Sequence, residues 1–449
     1  MSPTSWRRVR WLMCAVLMGT STPSFAWSDH TLGTWQALAV MPAIAQAPAV
    51  TVESLDSFLA AEDSGLAKLL VQEEEWDQHN VPDYPPRPQA LQFQADGPAA
   101  TRRQRFMTAL RINPNCELAL FLQMRPGTPP PPGSELPWTE VTTLRHDNTV
   151  RNDRFERLQQ GESVAVLEVI ATASGEPDDG LDIGLWEDNG TPYGRTYGFG
   201  KQPFGDPALE FSSQAPFHMG FYHESPIIYK AAGFLRRTYP EYRIHLYQSL
   251  AKFALQTRHP YWGWRFAGWA LHYVQDLTQP YHATVLPGVS TVRMLWINAV
   301  DIGGWHGPKE RAIRRVSNRH LALENYQYHR MREAYLHNNP DDALLRALRD
   351  TSKDAAQAPW SDTTPRRVVS HQAHAWAERT DRMLVQAVPA KYISDPDYVF
   401  EQTEPDIDLA AVLKTVPKKM QDEMTQLVSA LMQHFGTQTR TFITSLAEP

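Results

Sequence analysis

The sequence predicts a mainly α-helical fold interrupted by a loop-rich segment with some β structure. From Pro226 onward, apolar residues recur at helical spacing, whereas proline-rich stretches and short strand-like runs occupy about 84–175. The predicted helices of the second half run over 226–238, 241–257, 263–278, 309–336, 341–349, 367–387 and 407–446. Because the pattern is helical throughout this region, we expect the C-terminal half to be a helical bundle.

Residues 1–26 have the features of a signal peptide. Three arginines precede a short apolar run at 11–19, and a small-x-small cleavage site ends at Ala26. That run is too short to span a bilayer, and no later segment is long and apolar enough to do so. We therefore expect an exported protein, periplasmic or secreted, without a transmembrane segment and with Trp27 as its first mature residue.

The first half of the mature chain begins with helices and continues into mixed structure. Residues 27 to about 45 and 55–76 show helical spacing. The runs at 118–123 and 164–170 are strand-like, and 180–205 is rich in Gly, Asp, Asn and Tyr, which indicates a long ordered loop.

Charge and cysteine content narrow the function classes. The chain has 449 residues and a formal charge of −7, which becomes −10 once the three signal-peptide arginines are removed. An acidic body argues against a broad surface that coats duplex nucleic acid, but it leaves room for a small pocket that takes one phosphodiester. Cys116 is the only cysteine after residue 26, so we expect no intramolecular disulfide.

One short stretch points to a metal site. His272 and Asp276 are four residues apart, so on a helix both side chains project from one face. Pro280 should end that helix, and His282 follows in the turn beyond it. Two imidazoles and a carboxylate suit a borderline divalent ion, zinc before others.

Two further elements strengthen this prediction. His320 and Glu324 form a second i, i+4 pair inside a strongly helical segment, and paired ligands on separate helices are a common way to build a multinuclear site. Cleavage after Ala26 would free the α-amino group of Trp27, whose nitrogen and carbonyl can chelate a metal, with His30 close behind.

This combination resembles the bacterial zinc-dependent phospholipases C. The shared features are a first mature Trp, a nearby His, the string H-x-x-x-D-x-x-x-x-x-H at 272–282 and a final H-x-x-x-E at 320–324. The fungal single-strand-specific zinc nucleases are relatives, but they usually end the last pair with Asp. The likeness covers about 170–335 and the first mature residues. It implies that 27–449 is one phospholipase C-like helical catalytic domain with an insertion at about 50–170.

The resemblance implies three zinc ions and a ligand set. His282, His320 and Glu324 would hold one ion. A second would be held by His218, His272, Asp276 and an upstream Asp, and the third by Trp27 and His30, with Asp276 bridging. Asp178, in the turn Glu176-Pro177-Asp178, is preferred as the upstream Asp over Asp206, and His218 is preferred over His223. Asp178 and Glu324 are the predicted catalytic residues, Asp178 (or Asp206) as the general base.

The implied function is hydrolysis of phosphatidylcholine to diacylglycerol and phosphocholine at a membrane or micelle surface, without an obligate protein partner. A zinc nuclease with 3′-nucleotidase activity and a non-catalytic exported metal- and lipid-binding protein are the alternatives. The aromatic series at 262–273 is interpreted as a core stripe, with a choline-binding role for one or two rings as the sharper hypothesis. The i, i+3 pair His371 and His374 has no carboxylate partner and is interpreted as an ordinary helix-face pair.

Overall fold

A computed structural model describes residues 27–144, 153–205, 211–400 and 403–447. The predicted signal peptide (residues 1–26) and Asp206 lie outside these ranges. The fold is mainly helical, as predicted, with two small sheets in the first half.

Helices are the main regular elements in both halves of the chain. The α-helices run in chain order as α1 His30–Leu38, α2 Pro42–Ala45, α3 Leu55–Asn80, α4 Arg102–Ala109, α5 Val166–Ala173, α6 Ala215–His218, α7 Pro226–Ala231, α8 Pro240–Gln256, α9 Pro260–Asp276, α10 Pro280–Ala283, α11 Thr291–Ile302, α12 Gly307–Leu336, α13 Ala343–Arg349, α14 His371–Ala387, α15 Ala390–Ile393, α16 Leu409–Leu413 and α17 Lys418–Ala447. A π-helical turn, Pro365–Ser370, leads directly into α14.

The β structure is short and antiparallel. The strands are β1 Val50–Thr51, β2 Phe121–Gln123, β3 Glu135–Leu136, β4 Phe155–Arg157 and β5 Ser163–Val164. β1 pairs with β5, and β4 lies between β2 and β3. The first sheet therefore joins the two ends of the predicted insertion at 50–170, whose α3 and α5 pack against α8 and α9.

α9 is the central helix. It packs against α5, α8 and α17, and nearly all of its side chains are buried. Trp262, Phe266, Trp269 and Tyr273 lie within the core, which agrees with the core interpretation of this aromatic stripe. Gly268 is needed at the contact with α5, because a Cβ there would lie 2.4 Å from the Cβ of Ala173. This close approach brings the end of α5 onto the face of α9 that carries residue 272.

Two hydrophobic cores meet at one seam. The first is built from α3, α5, α8 and α9 and includes Leu271 and Tyr273. The second is built from α12, α13, α14 and α17 and includes Tyr281 and Leu321. Candidate ligands contact both cores: the ring centroid of His218 lies 5.1 Å from that of Tyr273, and the centroid of His320 lies 5.8 Å from that of Tyr281. The seam therefore carries the polar groups.

Several predicted elements were wrong in extent or type. The run at 164–170 is not a strand beyond Val164, since α5 begins at Val166 and is covered by α9 and α1; short apolar runs do not distinguish a strand from a buried helix. The predicted helix at 226–238 is interrupted before Gly233, and the one at 407–446 is broken before Pro417. α4 and α11 were not predicted.

Helix bounds near the site also differ from the prediction. α9 already ends at Asp276, and Pro280 is the first residue of α10, where its fixed φ and missing N–H cost nothing. Across the described ranges, no helix has both the length and the apolarity required to cross a bilayer, consistent with the expected lack of a transmembrane segment.

Candidate metal centre

The structure brings eight of the nine predicted ligands together at the seam. They are His30 of α1, Asp178 of the 3₁₀ turn at 176–179, His218 of α6, His272 and Asp276 of α9, His282 of α10, and His320 and Glu324 of α12. Their possible ligand atoms form three compact groups, and the atoms in each lie within 4.8 Å of one another. The groups are His30, His272 and Asp276; Asp178, His218 and His272; and His282, His320 and Glu324.

Asp276 joins the first two groups through its two oxygens. Its Oδ1 lies 3.4 Å from His30 Nε2. Its Oδ2 lies 2.8 Å from His218 Nδ1 and 3.3 Å from His272 Nε2. The two oxygens of one carboxylate therefore face different histidines, an arrangement suited to bridging two cations.

The third group is formed by α10 and α12. His282 Nε2 lies 3.1 Å from His320 Nε2, and His320 Nε2 lies 2.6 Å from Glu324 Oε1. Gln279 connects the two helices, because its side chain accepts a hydrogen bond from Tyr281 N and donates one to Glu324 Oε1 at 3.0 Å. Gln279, the N-cap residue of α10, therefore also positions the candidate ligand Glu324.

Trp27 lies beside these groups. Its indole Nε1 donates to Thr278 Oγ1 at 2.8 Å, two residues after Asp276, and the ring is buried in the second core. Asp29 caps α1 by accepting from Leu32 N, which places His30 in the first helical turn. The start of the predicted mature chain is thus held at the end of α9.

Outer hydrogen bonds orient three of the imidazoles. His272 Nδ1 lies 2.9 Å from the Ser174 carbonyl, His282 Nδ1 lies 3.0 Å from the His218 carbonyl, and His30 Nδ1 lies 2.7 Å from Gln275 Oε1. These oxygen partners are acceptors, so each Nδ1 carries a proton, and in the neutral ring Nε2 then turns a lone pair toward the site. This is the tautomer that a metal ligand requires.

His218 is held differently, by a buried polar network. Its Nε2 lies 3.4 Å from Asp182 Oδ2, which also accepts from Tyr273 Oη at 2.6 Å. Asp182 Oδ1 accepts from Arg243 Nη2 at 2.6 Å, and both partners are fully buried. Asp182 therefore holds the Nε2 side of the His218 ring, while Nδ1 faces Asp276 Oδ2.

The protonation states agree with metal binding at several positions. Burial lowers the pKa of His282 to about 4 and the pKa values of His272 and His320 well below the usual range. These three rings are therefore neutral, the form that binds a cation. Burial lowers the pKa of His218, but Asp182 and Asp276 outweigh it and raise that pKa to about 10. A cation binding there would have to displace a proton.

The buried polar atoms fit a divalent ion. His30 Nε2 and Asp276 Oδ1 make no hydrogen bond of good geometry to any described residue, although both are shielded from solvent. The ion-pair partners of Asp276 within the described ranges are three histidines. Burying an ion costs several kcal/mol without compensation. Imidazole and carboxylate donors aimed at common points would supply that compensation through bound cations of the zinc type.

The group retains limited access to solvent. Asp178 is 7% exposed and His320 is 4% exposed, whereas His272 and Asp276 are fully buried. Asp178 Oδ1 lies 3.7 Å from His272 Nε2, at the outer edge of its group. A ligand from solution would therefore approach on the side of Asp178 and His320.

The sequence left open two choices, between His218 and His223 and between Asp178 and Asp206. His218 lies in the metal centre, whereas His223 packs against His371 and His374, with ring centroids 5.3 and 5.5 Å away. Asp178 lies in a ligand group, and Asp206 is outside the described residues.

Sequence reasoning missed the outer partners of the ligands. Asp182, Arg243 and Gln275 make the contacts described above, but nothing in their spacing indicates which histidine each will touch. Arg243 offered one signal, since it is a cation flanked directly by Tyr242 and Ile244 in α8.

Comparison with known proteins gave no relative: no family model, no curated protein and no solved structure matches this chain.

Proposed function

We propose that this chain is an exported zinc-dependent phospholipase C that hydrolyses phosphatidylcholine to diacylglycerol and phosphocholine. The observation that carries the proposal is the pair of opposed contacts at Asp276, whose Oδ1 faces His30 and whose Oδ2 faces His218 and His272. Clustered cations bridged by one carboxylate are suited to phosphodiester hydrolysis, because both the attacking and the leaving oxygen need charge stabilisation.

The three ligand groups support the following assignment of zinc ligands. His282, His320 and Glu324 would hold one ion. Asp178, His218 and His272 would hold a second, with Asp276 Oδ2 beside the two imidazoles. His30, Asp276 and the Trp27 terminus would hold a third. When bound, zinc lowers the pKa of a coordinated water toward neutrality and neutralises the phosphate oxygens.

The chain's own residues would then orient the reaction. Asp178, the ligand nearest to solvent, would accept a proton from the attacking water. The water oxygen bonds to phosphorus as the bond from phosphorus to the diacylglycerol oxygen breaks, and that oxygen takes up a proton. The outer partners Ser174, Gln275 and Asp182 keep the imidazoles in position.

One observation favours a second candidate, a non-catalytic exported metalloprotein. The ligands are deeply buried, with Asp178 the most exposed at 7%. Metal ions closed off by full protein coordination are structural rather than catalytic. The two candidates differ in turnover, not in metal content.

The discriminating experiment measures turnover on two phosphodiester substrates. The purified mature protein is incubated with phosphatidylcholine and with single-stranded DNA, each with and without a chelator, and bound metal is counted by mass spectrometry. We expect zinc-dependent release of phosphocholine and little DNA cleavage. Preferential DNA cleavage would replace the proposal with the nuclease, and inertness on both substrates with zinc bound would favour the structural role.

Two histidine variants, one in α12 and one just after it, separate the loss of a ligand from a general loss of folding. His320→Ala removes a candidate ligand, whereas His337→Ala changes an exposed histidine just after the same helix. Phosphocholine release should disappear only in the first. Full activity in a His320→Ala protein that has lost zinc would refute the proposal.

A further inference from the structure

The exposed apolar residues of this protein are concentrated in one place. Among the described residues, nine large hydrophobic side chains are exposed, and seven of them belong to two segments, 226–237 and 291–315. We call these two segments the cap. The most exposed are Val292 at 77%, Ile302 at 71% and Trp305 at 57%. Exposed apolar side chains concentrated in this way indicate an interaction site.

The two segments form one structural unit. α7 and α11 are in contact, and Asn298 Nδ2 donates to the Ala231 carbonyl at 3.4 Å. The rings of Trp296 and Trp305 meet edge to face, with centroids 5.8 Å apart, which joins α11 to the loop before α12. A small core of its own, including Phe221, lies beneath the exposed residues.

The cap is also strongly basic, in contrast to the acidic chain. It contains eight Lys and Arg but only two Asp and Glu, a net charge of +6, whereas the whole chain carries −7. One of the two acidic residues, Asp301, is paired with Lys309 at 2.8 Å. Arg293 lies over the ring of Trp296, 4.1 Å from its centroid. Aromatic and aliphatic side chains among arginines are typical of a surface that enters the bilayer interface.

The cap is attached directly to the metal centre. Phe221, in the cap's core, is three residues beyond the candidate ligand His218, and Val285, which packs against the same core, is three residues beyond His282. Gly220 N donates to the His282 carbonyl at 2.8 Å, which ties these two chain segments together. A surface bound to the cap is therefore held close to the candidate ligands.

We propose that the cap docks this protein onto anionic phospholipid membranes, with α11 lying along the interface. The inference extends the proposed function and rests on it for the identity of the substrate, but the docking is carried by the cap alone. A second copy fits poorly, because a twofold contact would place like charges against each other. Single-stranded nucleic acid would use the two tryptophans but not the exposed Val292 and Ile302, since aliphatic side chains do not stack on bases.

Vesicle binding tests the proposal without requiring turnover. The mature protein is mixed with phosphatidylcholine vesicles with or without phosphatidylglycerol, and energy transfer from tryptophan to a dansyl-labelled lipid is read immediately after mixing. We expect tighter binding with phosphatidylglycerol and weaker binding as salt rises. Arg311→Gln should weaken binding about fivefold, and Val292→Asp, which loses apolar area and adds a repelled charge, about thirtyfold.

The matched control is Val385→Asp. Val385 is 47% exposed on α14, outside the cap, so the same chemical change should leave vesicle binding unaltered. Equal losses in Val292→Asp and Val385→Asp, or no loss in either, would overturn the proposal. Binding of single-stranded DNA that exceeds vesicle binding at the same salt, and that Val292→Asp abolishes, would also overturn it. Vesicle binding that depends on Val292 in a protein unable to hydrolyse phosphatidylcholine would support the docking and remove the proposed function.

Discussion

Two groups of histidines in this protein look alike in the sequence but differ in the structure. The candidate metal centre takes histidines from five helices and sets them against carboxylates in a buried seam. The second group, His223, His371 and His374, lies partly exposed on and beside α14. His223 Nε2 contacts the Arg366 carbonyl at 3.1 Å, and His374 Nδ1 contacts Thr284 Oγ1 at 2.8 Å.

The comparison teaches that histidine spacing alone does not make a metal site. Within the described residues, the second group does not bring three ligand atoms within 4.8 Å of one another, whereas the metal centre does so three times. The difference is made by carboxylates and by outer hydrogen bonds. Asp276 supplies a negative charge to three imidazoles, and carbonyl or amide oxygens turn the ring nitrogens inward.

The largest expected difference comes from removing one histidine from each group. His272→Ala should reduce phosphodiester hydrolysis more than about a hundredfold, since even the loss of an outer partner of a metal ligand costs about 10- to 100-fold. It should also lower the melting temperature, because bound metal stabilises the folded state. His371→Ala, on the exposed start of α14, should change neither. The test measures activity, metal content and melting temperature for both variants. Equal changes in the two would show that the two histidine groups do not differ in metal binding.

A smaller effect is expected from the outer partner Asp182. Asp182→Asn should weaken zinc binding about 10- to 100-fold, because His218 loses the carboxylate that orients it. It should also cost roughly 3 kcal/mol of stability, since Arg243 is left buried without its counter-charge.

The control for Asp182 is a second ion pair with a buried carboxylate. Asp342 pairs with Arg330 at 2.8 Å and caps α13, outside the metal centre. Asp342→Asn should lower stability in the same direction while leaving zinc affinity unchanged in a competition titration. If both variants bind zinc equally tightly, Asp182 has only a structural role.

The smallest expected effect is a pH dependence in the second group. Burial first, and then His374 and His371, lower the pKa of His223 to about 4. A folded-state pKa below the unfolded value of 6.5 means that the unfolded chain binds the proton first as pH falls. Stability is therefore full above about pH 6.5 and is lost toward pH 4, by roughly 1–2 kcal/mol after allowance for solvent screening.

This pH dependence is measured as the difference in unfolding free energy between the wild type and His223→Gln at each pH. Subtraction removes the effect of acid on the metal centre, which both proteins share. Arg366, His371 and His374 are the charged or titratable groups that lower this pKa. A difference that stays constant between pH 4 and 7 would show that His223 is not held neutral by its neighbours.

Much of the site could be predicted from local pattern. The i, i+4 pairs at 272 and 276 and at 320 and 324 do lie on single helices, because helical spacing needs only neighbouring residues. The preference for His218 over His223 did not come from local pattern, since His218 ends α6 and His223 lies five residues further on, and only packing separates their environments. The cap was missed for the same reason, because its apolar residues come from two segments more than fifty residues apart.

By itself, the sequence determined the mainly helical fold, the donor types and the helix faces that carry them. Those properties follow from backbone geometry and from side-chain chemistry within a few residues. Only the tertiary structure decided that two hydrophobic cores meet at one seam, that Asp276 faces histidines of three helices, and that the basic apolar cap lies next to them. The physical reason is that such contacts depend on how whole helices pack, and a window of local sequence does not contain that information.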